Sequence, residues 1–342
     1  MTTNSTPTDL PRVLSGITPS GPLTLGNYLG ALRRFVDGQA GSEGFFFVAD
    51  LHAMTTEHEP ARLQELTLQT SALFLAAGLD PERSTVFVQS HVPTHVELAY
   101  LLECTAYVGE LGRMIQFKEK GGRPRTRASL FTYPCLMASD ILLYDARSVP
   151  VGGDQDQHVE LARDLALRFN REYGETFVVP ELAKAALAAR VADLVEPTKK
   201  MSKSAPDTAA GVIRMLDEPA LIKRKIGRAV TDSDDSDDPV RYDPEAKPGV
   251  SNLLDIIAVI EGSDPGEVAT RFTSYGALKA ACTEAVVGVL EPIQQRYAEL
   301  RADQTELLRT LSVGAARALR TSAPVLTRAR QAIGLVPAHT AG

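Results

Sequence analysis

Between residues 12 and 170, short apolar runs of strand length alternate with stretches of helical period, and no later part of the chain keeps that rhythm. Residues 12–15, 45–49, 85–89 and 148–151 are the strand candidates. The unbroken apolar run at 45–49 reads as a parallel strand buried on both faces. Between the first two strands, Leu25, Leu29, Leu32 and Val36 fall on one helical face. Pro60 opens the next helix and Gly78 closes it. After the fourth strand, a helix opening near Gln155 puts Val159, Ala162, Ala166 and Phe169 on one side. This βαβα order predicts an α/β fold, a Rossmann-like doubly wound parallel sheet. From about residue 208 the pattern becomes wholly helical, with stretches at 221–230, 250–261, 275–291 and 300–318. A chain of 342 residues accommodates two domains. The division expected is a Rossmann-fold domain over 10–207 and an all-helical domain over 208–336. Residues 231–239, dense in Asp and Ser, are expected to form a mobile loop.

The net charge of −7 argues against a protein that coats nucleic acid wholesale, but not against a local basic track. Basic residues cluster at Lys118, Lys120, Arg123, Arg125 and Arg127; at Lys199, Lys200 and Lys203; and at Lys223, Arg224, Lys225 and Arg228. Cys104, Cys135 and Cys282 are odd in number and far apart, so no disulfide framework and no protein-bound zinc is expected. No apolar run approaches the roughly 18 residues needed to span a bilayer. The first residues carry no basic-then-apolar signal pattern, so a cytoplasmic protein without membrane contact is expected.

Two familiar nucleotide fingerprints are missing. No GxGxxG follows a strand, and Asn27-Tyr28 stands where a P-loop needs Lys-Ser/Thr after Gly21 and Gly26. Three other segments are informative. Ser15-Gly-Ile-Thr-Pro-Ser-Gly-Pro-Leu-Thr-Leu-Gly-Asn-Tyr28 puts glycines and small residues where a strand passes into a helix, letting backbone amides approach phosphate oxygens. Gly152-Gly-Asp-Gln-Asp-Gln-His158 repeats that strand-glycine-helix pattern. Lys199-Lys-Met-Ser-Lys-Ser204 carries Lys200 and Lys203 among hydroxyls, a set able to hold a pyrophosphate leaving group as its charge develops.

In this order, the segments resemble bacterial tryptophanyl-tRNA synthetases, members of the class I aminoacyl-tRNA synthetases. Thr24-Leu-Gly-Asn27 matches the T-x-G-N form of the family's first signature, and Lys200–Ser204 matches its KMSKS signature letter for letter. The resemblance runs from about Val13 to Tyr297 and takes in Asp50-Leu-His-Ala53 and residues 132–144, 229–233 and 242–254. It implies a ligase reaction in two steps: tryptophan and Mg-ATP give tryptophanyl-adenylate and pyrophosphate, and the terminal adenosine of tRNA(Trp) then takes the amino acid. Positioning and charge stabilisation carry both steps, without a side-chain nucleophile.

By that resemblance, Thr24, Asn27, Lys200 and Lys203 are the catalytic set. Thr18, Pro19, Ser20, Gly26 and Asn27 would surround the ATP phosphates and ribose. Gly152, Gly153 and Asp154 would meet the ribose, and Val191 the adenine. Met201, Ser202 and Ser204 would shape the lysine loop, and Lys120 would add a further charge. Mg2+ would enter with ATP, with no metal held by the protein alone. Tyr133, Met137 and Asp140 share one helix face. Asp140 would accept the indole N–H and Met137 would pack on the ring. Tyr133 and Gln155 would orient the amino group, Leu14, Val149 and Val151 would line the pocket, and His52 would stand beside it. Phenylalanine would leave Asp140 unpaired and be rejected. The helical C-terminal part would read the anticodon, with Lys223–Arg228 and residues 317–330 meeting phosphates, and the enzyme would be a homodimer.

Leu14, Thr18 and Ala205 depart from the family pattern, where an aromatic residue, Gln and Asp are usual; one reading is an auxiliary, inhibitor-tolerant enzyme. The alternatives weighed are a tyrosyl-tRNA synthetase and a catalytically silent tRNA-binding paralogue.

Overall fold

The computed structural model describes residues 10–151, 156–184, 191–234, 236 and 238–337. Strands β1 (Arg12–Ile17), β2 (Glu43–Val48) and β3 (Thr85–Val88) form a parallel sheet in the order β1-β2-β3, with Leu14 beside Phe45 and Phe47 beside Phe87. Strands β4 (Ser148–Val151) and β5 (Glu181–Lys184) form a second parallel pair. β4 packs beside β1, the edge strand of the first sheet. The spatial sequence is therefore β3-β2-β1-β4-β5, with its reversal point between β1 and β4. In open α/β sheets, that crevice at the carboxyl ends of the strands is where ligands bind.

Side-chain alternation along the strands explains the double winding. Phe46 and Val48 of β2, with Val86 and Val88 of β3, point into one core; Phe45, Phe47 and Phe87 point into the other. Among the described residues, the longer helices that cover these faces and extend beyond them are α1 (Pro60–Ala76), α2 (Thr94–Glu103), α3 (Ser129–Leu142), α4 (Asp156–Tyr173), α5 (Pro219–Gly227), α6 (Pro248–Glu261), α7 (Tyr275–Ala302) and α8 (Gln304–Ala332). Among the described residues, no helix is long and apolar enough to cross a membrane.

Two expectations change. The helix read through Leu25, Leu29, Leu32 and Val36 is broken into a short turn at Leu25–Asn27, a π-turn at Tyr28–Leu32 and a helix at Arg33–Gly38. Leu25, Leu29 and Leu32 still point inward and are buried. The acidic segment 231–239 is not loose at the residues described. Lys247, 3 % exposed as a side chain, pairs with Asp232 at 2.9 Å and Asp234 at 2.8 Å. Arg241 pairs with Asp234 at 2.6 Å, and Tyr275 donates to Asp232.

Candidate active site

β1 ends at Ile17, and the chain turns at once, with the Ser20 amide donating to the Thr18 carbonyl. Thr24 then caps the Leu25–Asn27 turn. Its hydroxyl accepts from the Asn27 amide at 3.3 Å and donates to the Asn27 side-chain oxygen at 3.1 Å, while the Thr24 amide donates to that oxygen at 3.0 Å. The T-x-G-N signature is thus a reciprocal capping box. Thr24 is fully buried with its hydroxyl engaged on both sides. It shapes the corner between β1 and the Leu25–Asn27 turn.

The lysine signature folds onto this corner. Lys200 bridges to Ala192, and the Met201 amide donates to the Val191 carbonyl at 3.1 Å. Met201 is buried, and the Ser202 and Ser204 hydroxyls lie 3.0 Å apart. The Lys203 ammonium donates to the Thr18 carbonyl. The two signatures touch closely enough that a Cβ on Gly21 would stand 2.4 Å from the Lys203 carbonyl oxygen; one on Gly26 would meet Val191 and Met201 at 3.5 and 3.7 Å. Between them lies a cavity of about 250 Å³ whose lining includes Ser20, Arg62, Lys203, Ser204 and Asp207. Burial pushes the Lys203 ammonium down to about 8. Lys200 is exposed.

Residues that the sequence did not single out hold this corner. Buried Arg214 donates to the carbonyls of Ala205 at 3.0 Å and Pro206 at 2.9 Å and stands 3.3 Å from Asp207. Arg62 reaches the same Asp207 at 3.3 Å. Ala205 brings no carboxylate, and Asp207, two residues on, makes these ion pairs instead. Asn252 of α6 clamps Ala192 from both sides, its oxygen accepting at 2.8 Å and its amide donating at 3.1 Å.

The second part of the site is built on α3. Tyr133 and Asp140 are buried and Met137 half-buried; Leu14 and Val149 belong to the core on which Met137 packs. Asp140 is 3 % exposed, yet it is not alone. His52 donates to Oδ2 at 2.8 Å, His95 Nδ1 to Oδ1 at 2.6 Å, and the Gln89 amide to both oxygens at 2.8 and 3.0 Å. Because His95 Nδ1 carries the proton toward the carboxylate, its Nε2 accepts from the Tyr144 hydroxyl at 2.8 Å. Burial would raise the Asp140 carboxyl; the hydrogen bonds from His52 and His95 outweigh it and hold the group below the usual carboxylate range. His52 stands edge-on to Tyr133, with ring centres 6.3 Å apart. The Tyr133 hydroxyl, pushed up to about 12 by burial, stays protonated and donates to His158 at 2.6 Å.

The structure therefore brings His52 to Asp140 and to Tyr133, with Leu14 and Val149 in the core against which Met137 packs. It corrects the expectation that phenylalanine would leave Asp140 unpaired, since three protein donors already hold the carboxylate. Gly152, Gly153, Asp154 and Gln155 lie outside the described residues, as do the side chains of Lys120 and Val151. The basic supply near the C-terminus also narrows. Lys225 is buried against Asp217 at 2.6 Å; Arg317 donates to the Pro81 carbonyl at 2.5 Å, Arg328 pairs with Asp145 at 2.8 Å, and Arg330 pairs with Glu97. Lys223, Arg224, Arg228 and Arg320 remain exposed.

The model of tRNA synthetases class I (W and Y) matches residues 6–291. Tryptophan–tRNA ligase 1 of Streptomyces coelicolor is 53 % identical over 333 residues, spanning 95 % of this chain and 98 % of that relative. The crystal structure of tryptophanyl-tRNA synthetase from Mycoplasma pneumoniae superposes with a TM-score of 0.86 at 35 % identity, covering 96 % of this chain and 98 % of that one. The Campylobacter jejuni enzyme, solved with ADP and tryptophan, gives 0.81 at 35 % identity, covering 95 % and 100 %. A chain whose two signatures meet over a cavity lined by Arg62 and Lys203, and which these proteins match over nearly its whole length, belongs to the class I tRNA synthetases, enzymes that join an amino acid to tRNA.

Proposed function

We propose that this site activates L-tryptophan with Mg-ATP, forming tryptophanyl-adenylate and pyrophosphate, and then passes tryptophan to the terminal adenosine of tRNA(Trp). The observation that carries the choice of amino acid is the ionised, buried Asp140 on the Tyr133–Met137 face of α3. Indole has one polar atom, an N–H that only donates, and a buried carboxylate is its natural acceptor. Met137 packs on the ring, Leu14, Val149 and Val151 wall the pocket, and Tyr133 with Gln155 orients the amino group. The full-length relatives named for tryptophan favour this reading over tyrosine.

The Thr18–Ser20 turn, Gly26, Asn27 and residues 152–154 receive ATP, with Val191 and Met201 against the base. Lys203 and Lys200, with Lys120, take up the negative charge that passes to pyrophosphate. Mg2+ arrives as part of the nucleotide substrate; among the described residues no group of three or more His, Cys, Asp or Glu stands ready for a metal. The helical region from 208 onward reads tRNA. A second copy packs on the apolar surface formed by Val96, Tyr100, Tyr107, Val108 and Ile115, each more than half exposed. The working compartment is the cytoplasm.

The test is amino-acid-dependent ATP–pyrophosphate exchange with tryptophan, tyrosine and phenylalanine in turn. Tryptophan alone should support exchange at micromolar-to-millimolar KM; comparable exchange with tyrosine, or none with any of the three, contradicts the reading.

A further inference from the structure

The chemistry around Asp140 extends past the groups that can touch an amino acid. His95 is wholly buried, between the rings of Phe47, Phe87 and Tyr144, whose centres lie 5.6 to 5.9 Å from its own. Its two nitrogens are both engaged, one by Asp140 and one by the Tyr144 hydroxyl. The Ser139 hydroxyl donates to the His95 carbonyl at 2.7 Å, fastening α2 to α3 one residue before the carboxylate. Gln89, also wholly buried, follows β3 directly and gives its amide to both carboxylate oxygens. It does so although its own carbonyl oxygen finds no donor among the described residues. A buried amide left half satisfied in this way is oriented for the carboxylate, not for its own solvation.

Among these donors only His52, whose side chain is 13 % exposed, reaches the open side, and it binds Oδ2. Oδ1 is turned inward to His95 and Gln89. We propose that His95, oriented by Tyr144 and assisted by Gln89, is a positioning residue for amino-acid choice. It never meets the substrate, but it fixes the Asp140 carboxylate so that Oδ2 faces the indole N–H. This inference rests on Asp140 as the indole acceptor. The chain of donors runs one way, from the Tyr144 hydroxyl to His95 Nε2 and from His95 Nδ1–H to Oδ1, so loss of the outer hydroxyl frees the imidazole to take its other tautomer or to turn. The carboxylate then keeps its charge and loses its direction.

The discriminating probe is β-(benzothiophen-3-yl)alanine, which keeps the shape of tryptophan and replaces the indole N–H by sulfur. The readout is the ratio of kcat/KM for tryptophan to that for the analogue, in ATP–pyrophosphate exchange by the full-length protein, with the KM for ATP as a check on folding. Asp140→Asn should bring the ratio near one. Tyr144→Phe and Gln89→Met, which conserve volume, should each lower it by about three- to tenfold with the KM for ATP held within about twofold. His95→Leu should lower it at least as far, and His95→Asn, which keeps a donor near the Nδ1 position, should recover part of it. If Asp140→Asn collapses the ratio while Tyr144→Phe and Gln89→Met leave it unchanged, slowing both amino acids alike, the positioning role is overturned and these groups merely support the fold. If Asp140→Asn itself leaves the ratio unchanged, the reading of Asp140 as indole acceptor fails first.

Discussion

Lys203 shows how one residue's surroundings set its chemistry. Burial beside Thr18 brings its ammonium down to about 8, so the free protein holds it charged at neutral pH with little margin. In the proposed reaction, that charge would meet the departing pyrophosphate. We therefore expect kcat/KM for ATP to fall as pH rises through about 8, whereas Lys203→Arg, whose guanidinium stays protonated, loses that inflection whatever its absolute rate. Lys203→Ala should lower the rate of adenylate formation by roughly 10²–10³ with little change in tryptophan binding. A profile of the wild type that stays flat to pH 9.5 (on the order of 1.5 units past the shifted value) would sink this role. Stability should move the other way. The unfolded chain holds this proton up to the ordinary lysine range, so between about 8 and that range rising pH favours the folded state at this residue. Lys203 and Asp140 were both singled out in the sequence, one through a five-letter match, the other by its likeness to the family's indole acceptor. His95 was not. A single histidine among Val92, Leu98 and Ala99 looks like any satisfied core histidine until its partners are seen in space.

At the scale of elements, apolar periodicity located β1 to β4 and most helices because it reports which face is buried. It does not report the hydrogen-bond register, so the π-turn at Tyr28–Leu32 was invisible: Leu25, Leu29 and Leu32 stay inside either way. Helix ends were misjudged where proline lies within the helix. α7 runs past Pro292 and α8 past Pro324, held across the lost backbone bond by buried neighbours such as Ile293, Val325 and Leu326. What the sequence could not show is how two distant signatures meet. Their junction is backbone against backbone at Gly21, where even a methyl group would sit 2.4 Å from the Lys203 carbonyl oxygen. Gly21→Ala must push the lysine loop outward. It should cost about tenfold or more in kcat/KM for ATP, with tryptophan KM within about twofold and the melting temperature lowered by no more than a few degrees. Exchange kinetics at varied ATP, beside a melting curve, check this; unchanged ATP kinetics would show that the signatures need not close on each other.

Across the whole molecule, the boundary drawn near residue 207 follows a change in element type, but packing continues across it. α8 comes back to the sheet so closely that a Cβ on Gly314 would lie 1.8 Å from the Val86 carbonyl oxygen, and Arg317, Arg328 and Arg330 are tied to Pro81, Asp145 and Glu97. That packing sorts the basic residues by job, which composition alone could not do. Arginines turned inward hold α8 to the first half of the chain; Lys223, Arg224 and Arg228 on and just after α5 are exposed. If the outward group meets the tRNA backbone, each residue that neutralises a phosphate releases counterions. Removing one should then reduce the steepness of log K against log salt by about 0.7 to 0.9. Replacing Lys223, Arg224 and Arg228 by Gln should weaken tRNA binding and flatten that slope by up to about two to three units. Arg328→Gln and Arg330→Gln should instead lower the melting temperature and leave the slope alone, because their partners are protein carboxylates. Filter binding of tRNA(Trp) between low and physiological salt separates the two: a slope indifferent to the α5 group, or one that flattens on loss of Arg330, would place the tRNA on a different face of the molecule.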